Sequence, residues 1–298
     1  MRTTNREASG ALADYPDGFT FRPGDPVMAR VRATAPPLLL AALLVWAPPA
    51  AAQVIGGPRP VQTADRTLGF LTRYHVHTQA ASLRGIGDAQ FGWDTDLGVD
   101  MDVFDLLFAR GSVFFNLETG VGEERRAIDP TQTNYTMDLS VFTRLPRGEF
   151  GVTFHHISRH RADREHPGSP SWNMLGLSYG DRLWLGAFDV EFMGRWLGTI
   201  TSSEVDYEQE ANAYLRVLRP LNGRVSLIGE LDGSAVRTNE SMFGRRLQYG
   251  GSAHLGLRFR GVVGAGEILI GRERRVDPDI FVRRSKRWTR LAFRFVVD

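Results

Sequence analysis

The sequence contains no cysteine. That excludes disulfides, thiolate metal sites and a thiol nucleophile. A charge excess is missing too: 36 basic residues face 34 acidic ones, for a formal net charge of +2. Such balance gives no electrostatic footprint for nucleic acid. Little of the chain beyond residue 52 shows helical periodicity. No hydrophobic run there approaches the roughly twenty residues that a membrane-crossing helix needs. If this chain enters a membrane, it must do so as a barrel.

The longest apolar run lies near the start, in MARVRATAPPLLLAALLVWAPPAAAQ from Met28. Arg30 and Arg32 form a basic n-region, Pro37 to Trp46 a short apolar core, and Ala50-Ala51-Ala52 a small-residue cleavage site before Gln53. The pattern is that of a cleaved secretory signal. It predicts four parts: residues 1–27 as an unstructured extension or a mis-assigned start, 28–52 as signal peptide, 53–66 as a periplasmic segment, and 67–298 as the folded domain.

That domain repeats with a period of two. In QFGWDTDLGVDMDV, Phe91, Trp93, Leu97, Val99, Met101 and Val103 share one parity, and Gln90, Asp94, Asp96, Asp100 and Asp102 share the other. Alternation of this kind describes a strand with one apolar and one polar face. Its persistence over about fourteen residues exceeds the five or six usual in soluble proteins. The pattern recurs at 184–196, 205–217 and 247–260. Weaker versions at 68–78, 106–119, 133–145, 149–160, 171–180, 223–236, 263–274 and 286–297 bring the count to about twelve strands.

The connections alternate in length. Tight turns are expected at Asp105, Arg147-Gly148, Gly180-Asp181, Asn222-Gly223 and Gly261. Long polar loops, such as GEERRAIDPTQ, HRADREHPGSPS, TSSEVD and RTNESMFGRR, lie at the other end. An even number of long amphipathic strands with this loop asymmetry predicts an all-β fold, a transmembrane antiparallel barrel of the bacterial outer membrane. A soluble sandwich or lipocalin-like barrel also alternates, but with shorter strands and the apolar face inward. The expected partners are outer-membrane lipid and lipopolysaccharide. The barrel-insertion machinery joins them, because the ending at Leu291, Phe293 and Phe295 resembles the aromatic ending it reads, although the chain continues to Val297 and Asp298. No cofactor is called for.

With apolar side chains facing lipid, the lumen receives charges of both signs. They include Arg73, His75, His77, Asp94, Asp96, Arg110, Glu118, Arg195, Asp206, Glu208, Arg216, Glu230, Arg258, Arg290 and Arg294. In so narrow a barrel, pairing across neighbouring strands competes with a conduction path.

One stretch carries possible chemistry. FHHISRHRADREHPG, residues 154–168, holds His155, His156, His160 and His166. Phe150, Val152 and Phe154 belong to the lipid-facing parity, which continues through His156, Ser158 and His160, while His155 faces the lumen. A histidine and a serine two apart on a strand share one face, where imidazole can take the hydroxyl proton and an acid can orient the imidazole. The candidate catalytic set is His156, Ser158, Asp163 and Glu165. Two other readings stand beside it: polar rim residues among lipopolysaccharide phosphates, and a divalent-metal set of His156, His160, Asp163 and His166 whose spacing matches no tight zinc pattern.

His156-Ile157-Ser158, with Pro167-Gly168 after it, resembles the outer-membrane lipid A deacylases. That resemblance implies a His-x-Ser pair on the lipid-facing wall with a glutamate nearby. The chain departs from that family in having Arg159 where it has asparagine, in strand number, and in acids that precede the next strand. The fuller pattern, His156-x-Ser158-x-His160-x-x-Asp163, looks more like a family of uncharacterised bacterial outer-membrane proteins. The function these readings imply is a structural, channel or transport barrel, or a lipid-modifying hydrolase at the outer leaflet.

Overall fold

The computed structural model describes residues 67–85, 89–162, 168–240, 246–275 and 286–297. The expected extension, signal peptide and 53–66 segment lie outside them. The described residues form twelve antiparallel strands: β1 (Gly69–Arg84), β2 (Trp93–Asp105), β3 (Ala109–Gly122), β4 (Asp129–Arg144), β5 (Glu149–Arg161), β6 (Ser171–Leu185), β7 (Phe188–Ser203), β8 (Tyr207–Pro220), β9 (Val225–Thr238), β10 (Leu247–Arg260), β11 (Gly264–Arg275) and β12 (Lys286–Val297). Each strand pairs with its neighbours in sequence. β12 returns to β1 from Val76↔Val297 to Arg84↔Thr289, which closes the sheet without an edge. Strands of 12 to 16 residues exceed the roughly nine to eleven needed to cross a bilayer at a tilt.

Burial is inverted relative to a soluble protein. Leu97, Val141, Val152, Leu175, Trp196, Ile270 and Phe293 are exposed on the outside, whereas Asp94, Asp96, Asp102, Arg110, Glu118, Glu267, Arg290 and Arg294 are buried within. Only hydrocarbon outside makes that arrangement favourable. Inside, the charges are paired. Arg110 and Arg144 both engage Glu149, and Asp102 and Asp105 complete that network. Arg275 reaches across β12 and β1 to Asp94 and Glu118, each at 2.8 Å, and also holds Glu273. Arg294 joins Glu230 to Glu267, which Arg216 and Arg258 also bond. A cavity of about 60 Å³, lined by residues including Arg73, Asp100, Arg110, Asp138 and Arg195, is room for a water or two.

Several expectations are corrected. The Gly180-Asp181 turn is instead strand, with Gly180 opposite Met193 and Asp181 opposite Phe192. The reversal comes at Gly186, whose φ of +63° suits a residue without a Cβ. The first half of TSSEVD is strand, because β7 runs to Ser203, and only 204–206 connect it to β8. Glu208 faces outward, not into the lumen. A bulge in β8 leaves it unpaired between Tyr207↔Thr238 and Gln209↔Arg237, and the extra residue reverses the parity above it. Val205 and Tyr207 therefore turn inward and are buried. Phe91, placed with the lipid-facing set, lies before β2 and packs inside against Leu83 and Trp288.

Candidate functional site

Strand β5 rises from a tight turn at 145–148 and ends beside the 162–170 connection, on the long-loop side. Phe150 and Val152 are exposed on its outer face, and Phe154, His156, Ser158 and His160 continue that face upward. Ladder pairing fixes their neighbours. His156 lies between Met137 of β4 and Asn173 of β6, and Ser158 between Tyr135 and Ser171. His160 sets its ring edge against Tyr135, with centroids 5.3 Å apart.

The defining contact is between His156 Nδ1 and Asn173 Oδ1, at 2.8 Å. The amide oxygen can only accept, so the ring nitrogen facing it carries the proton, and the lone pair of neutral imidazole lies on Nε2. On its other side Asn173 donates through Nδ2 to Thr201 Oγ1, also at 2.8 Å. Ser158 is half-buried, two residues above His156 on the same face. The alternate residues point the other way. His155 is fully buried in the lumen, bonded to Asp138, which also accepts from Arg195 at 3.1 Å. Adjacent histidines thus belong to different sides of the wall.

Behind the site the lumen carries an apolar cluster between the buried His155 and Arg159. Ile157 at 0% exposure and Trp172 at 1% pack with Met174, Leu197, Val205, Tyr207 and Val236. Trp172 meets Tyr207 edge to face at 5.5 Å. Two of these residues are there because of the β8 bulge. The cluster backs the strands that carry His156 and Asn173, so they stand on a packed wall. Below the site on the outside run Val152, Leu175 at 49% exposure and Leu177 at 45%, with Leu139 and Val141 on β4. The polar group crowns an apolar column.

Of the sequence candidates, the structure places His156 and Ser158 on the same outer face of β5, two residues apart. Asp163 and Glu165 lie outside the described residues. Asn173 and Thr201 escaped the sequence reading. For Asn173 a signal existed, since it is a polar residue on the parity of Leu175 and Leu177. For Thr201 there was none, because it opens TSSEVD, which reads as a polar loop.

These features define a membrane-spanning β-barrel of the bacterial outer membrane, with a Ser-His-Asn group on its lipid-facing wall. The fold is similar to that of one solved barrel, and two others overlap it with TM-scores below 0.5. An outer membrane channel from Pseudomonas putida is 15% identical, with 80% of this chain and 99% of that chain covered and a TM-score of 0.51. The outer membrane phospholipase of Salmonella typhi, a dimer with bound calcium, is 12% identical over 75% and 90%, with a TM-score of 0.48. LpxR from Salmonella typhimurium is 9% identical over 75% and 99%, with a TM-score of 0.45. No family model and no curated protein matches the sequence.

Proposed function

We propose that this barrel is a lipid acyl-ester hydrolase whose site lies on its outer wall. The observation that carries the reading is the His156–Asn173 hydrogen bond on the face that also bears Ser158. Ser158 is the nucleophile. Its Oγ attacks an ester carbonyl while His156 Nε2 takes the hydroxyl proton. Asn173 Oδ1 holds Nδ1–H and so keeps the ring in the tautomer that can act as base. The alcohol leaves with the proton from His156, an acyl-serine remains, and water, activated by the same imidazole, releases the fatty acid. Position suggests the substrate class. A carbonyl at the level of Ser158 leaves its acyl chain against Phe154, Val152, Leu175 and Leu177, as an ester-linked chain in the bilayer would lie.

A structural, channel or transport role is the second reading; against conduction stand the ion pairs that cross the lumen and the Trp172 cluster on its inner face. The test is mass spectrometry of outer-membrane lipids from cells expressing the intact protein or the Ser158→Ala variant. Lysophospholipid or acyl-deficient lipid A that appears only with the intact protein is the expected result, and the species formed identifies the lipid. Identical lipids in both strains would return the protein to a passive structural role.

A further inference from the structure

We infer that Thr201 is a positioning residue for this site, brought to it by a one-residue bulge in β7. The inference rests on the hydrolase reading above and adds a fourth residue to it.

On the lower part of the β6–β7 ladder the registry runs Leu175↔Gly198 and Met174↔Thr199; above it runs Asn173↔Thr201 and Trp172↔Ser202. Ile200 is the residue left over. Along β7 the inward set is Asp189, Glu191, Arg195 and Leu197, all buried, and continued alternation would send Thr201 inward after Thr199. In a regular ladder Ile200 would then stand opposite Asn173, and an aliphatic side chain offers an amide nothing to bond. The bulge removes Ile200 from the ladder and turns Thr201 outward to the amide. Bulges recur beside active sites because they re-aim a side chain in this way.

The contact matters because Asn173 has three ways to fail. Its side chain can rotate toward the headgroups, its amide can turn over, or it can drift from the ring. Thr201 Oγ1 accepts from Nδ2 at 2.8 Å while Oδ1 accepts from His156 Nδ1 at 2.8 Å. With both ends of the amide tied, Oδ1 stays where the imidazole needs it. When His156 takes the serine proton and becomes cationic, the same chain of bonds polarises toward it. Thr201 touches neither substrate nor reacting atoms, and acts only through Asn173.

The experiment uses the full chain in detergent, with heat-modifiable gel migration as the folding check and a long-chain p-nitrophenyl ester in mixed micelles as the probe. Thr201→Val keeps the shape and deletes the hydroxyl. It should lower kcat about tenfold to a hundredfold, the loss expected from small misplacement of a catalytic group, with KM nearly unchanged. Thr201→Ser should restore most of the rate. In an Asn173→Ala background, Thr201→Val should cost nothing more, because the residue it serves is gone. Wild-type kcat in Thr201→Val, or a full further loss on top of Asn173→Ala, overturns the inference while the hydrolase reading stands. Full activity in Ser158→Ala overturns that reading itself, and is a separate result from either.

Discussion

His156 and Asn173 are seventeen positions apart in the chain, yet Nδ1 and Oδ1 lie 2.8 Å apart across the β5–β6 ladder. The closed sheet fixes that pair, since the residues of β5 from Glu149 to Ser158 each have a set partner on β6. The site therefore depends on register.

From this pairing, Ser158→Ala and His156→Ala should each lower ester hydrolysis at least about a thousandfold, because nucleophile and base act in one proton-transfer step. Asn173→Ala should cost less, since it removes only the group that orients the base. His155→Ala, on the lumen side, should leave hydrolysis close to wild type. Rates on a micellar ester, with gel mobility as the folding control, check all four. Wild-type activity in Asn173→Ala would show that the imidazole is oriented by something else.

The paired lumen predicts little conductance in planar bilayers. Asp96→Ala or Arg110→Ala should raise it, because each removes a buried group that the network holds in place. Arg110→Ala should also destabilise the barrel, because Asp102 would keep only Arg73 and Glu149 only Arg144 as cationic partners. A large steady conductance in the unaltered protein would show an open path that the ion pairs do not block.

Trp172→Ala should destabilise the barrel by about 3–5 kcal/mol through the cavity it leaves in the apolar cluster. It should also slow hydrolysis, although Trp172 faces away from the substrate, because its strand carries Asn173. Guanidinium unfolding in detergent measures the first effect and ester turnover the second. A loss of stability with no change in rate would mean that the wall behind the site does not hold it.

If the signal reading of residues 28–52 holds, N-terminal sequencing of the protein from outer membranes should begin at Gln53. A product that retains residues 1–27 would contradict it.

The twelve strands were legible because hydrocarbon outside and charge inside imprint a period of two on segments such as Leu247–Arg260, whose bounds the structure reproduces. His156 and Ser158 were legible for the same reason: they are polar residues on an apolar parity. What escaped was whatever interrupts the count. The bulges at Ile200 and Glu208 leave no compositional mark, so Thr201 was assigned to a loop, and Val205 and Tyr207 to the lipid-facing set. Asn173 was missed for another cause. Its role follows from a partner on the next strand, and the Pro167-Gly168 sequel drew attention to acids in the loop instead. The Gly180-Asp181 turn was misplaced because glycine beside aspartate reads as a reversal, whereas the ladder carries both through to Gly186.

The wall of this barrel is a single residue thick, so consecutive residues live in different phases. His155 answers to Asp138 and the charges of the interior; His156 answers to the membrane. An interior substitution such as His155→Ala changes the charge pattern of the lumen and leaves the outer face of β5 as it is. An outer-wall substitution does the reverse. The two surfaces are thus separately editable, and a lineage of such barrels is free to gain or lose surface chemistry while its inner charge lattice, and with it the fold, stays the same.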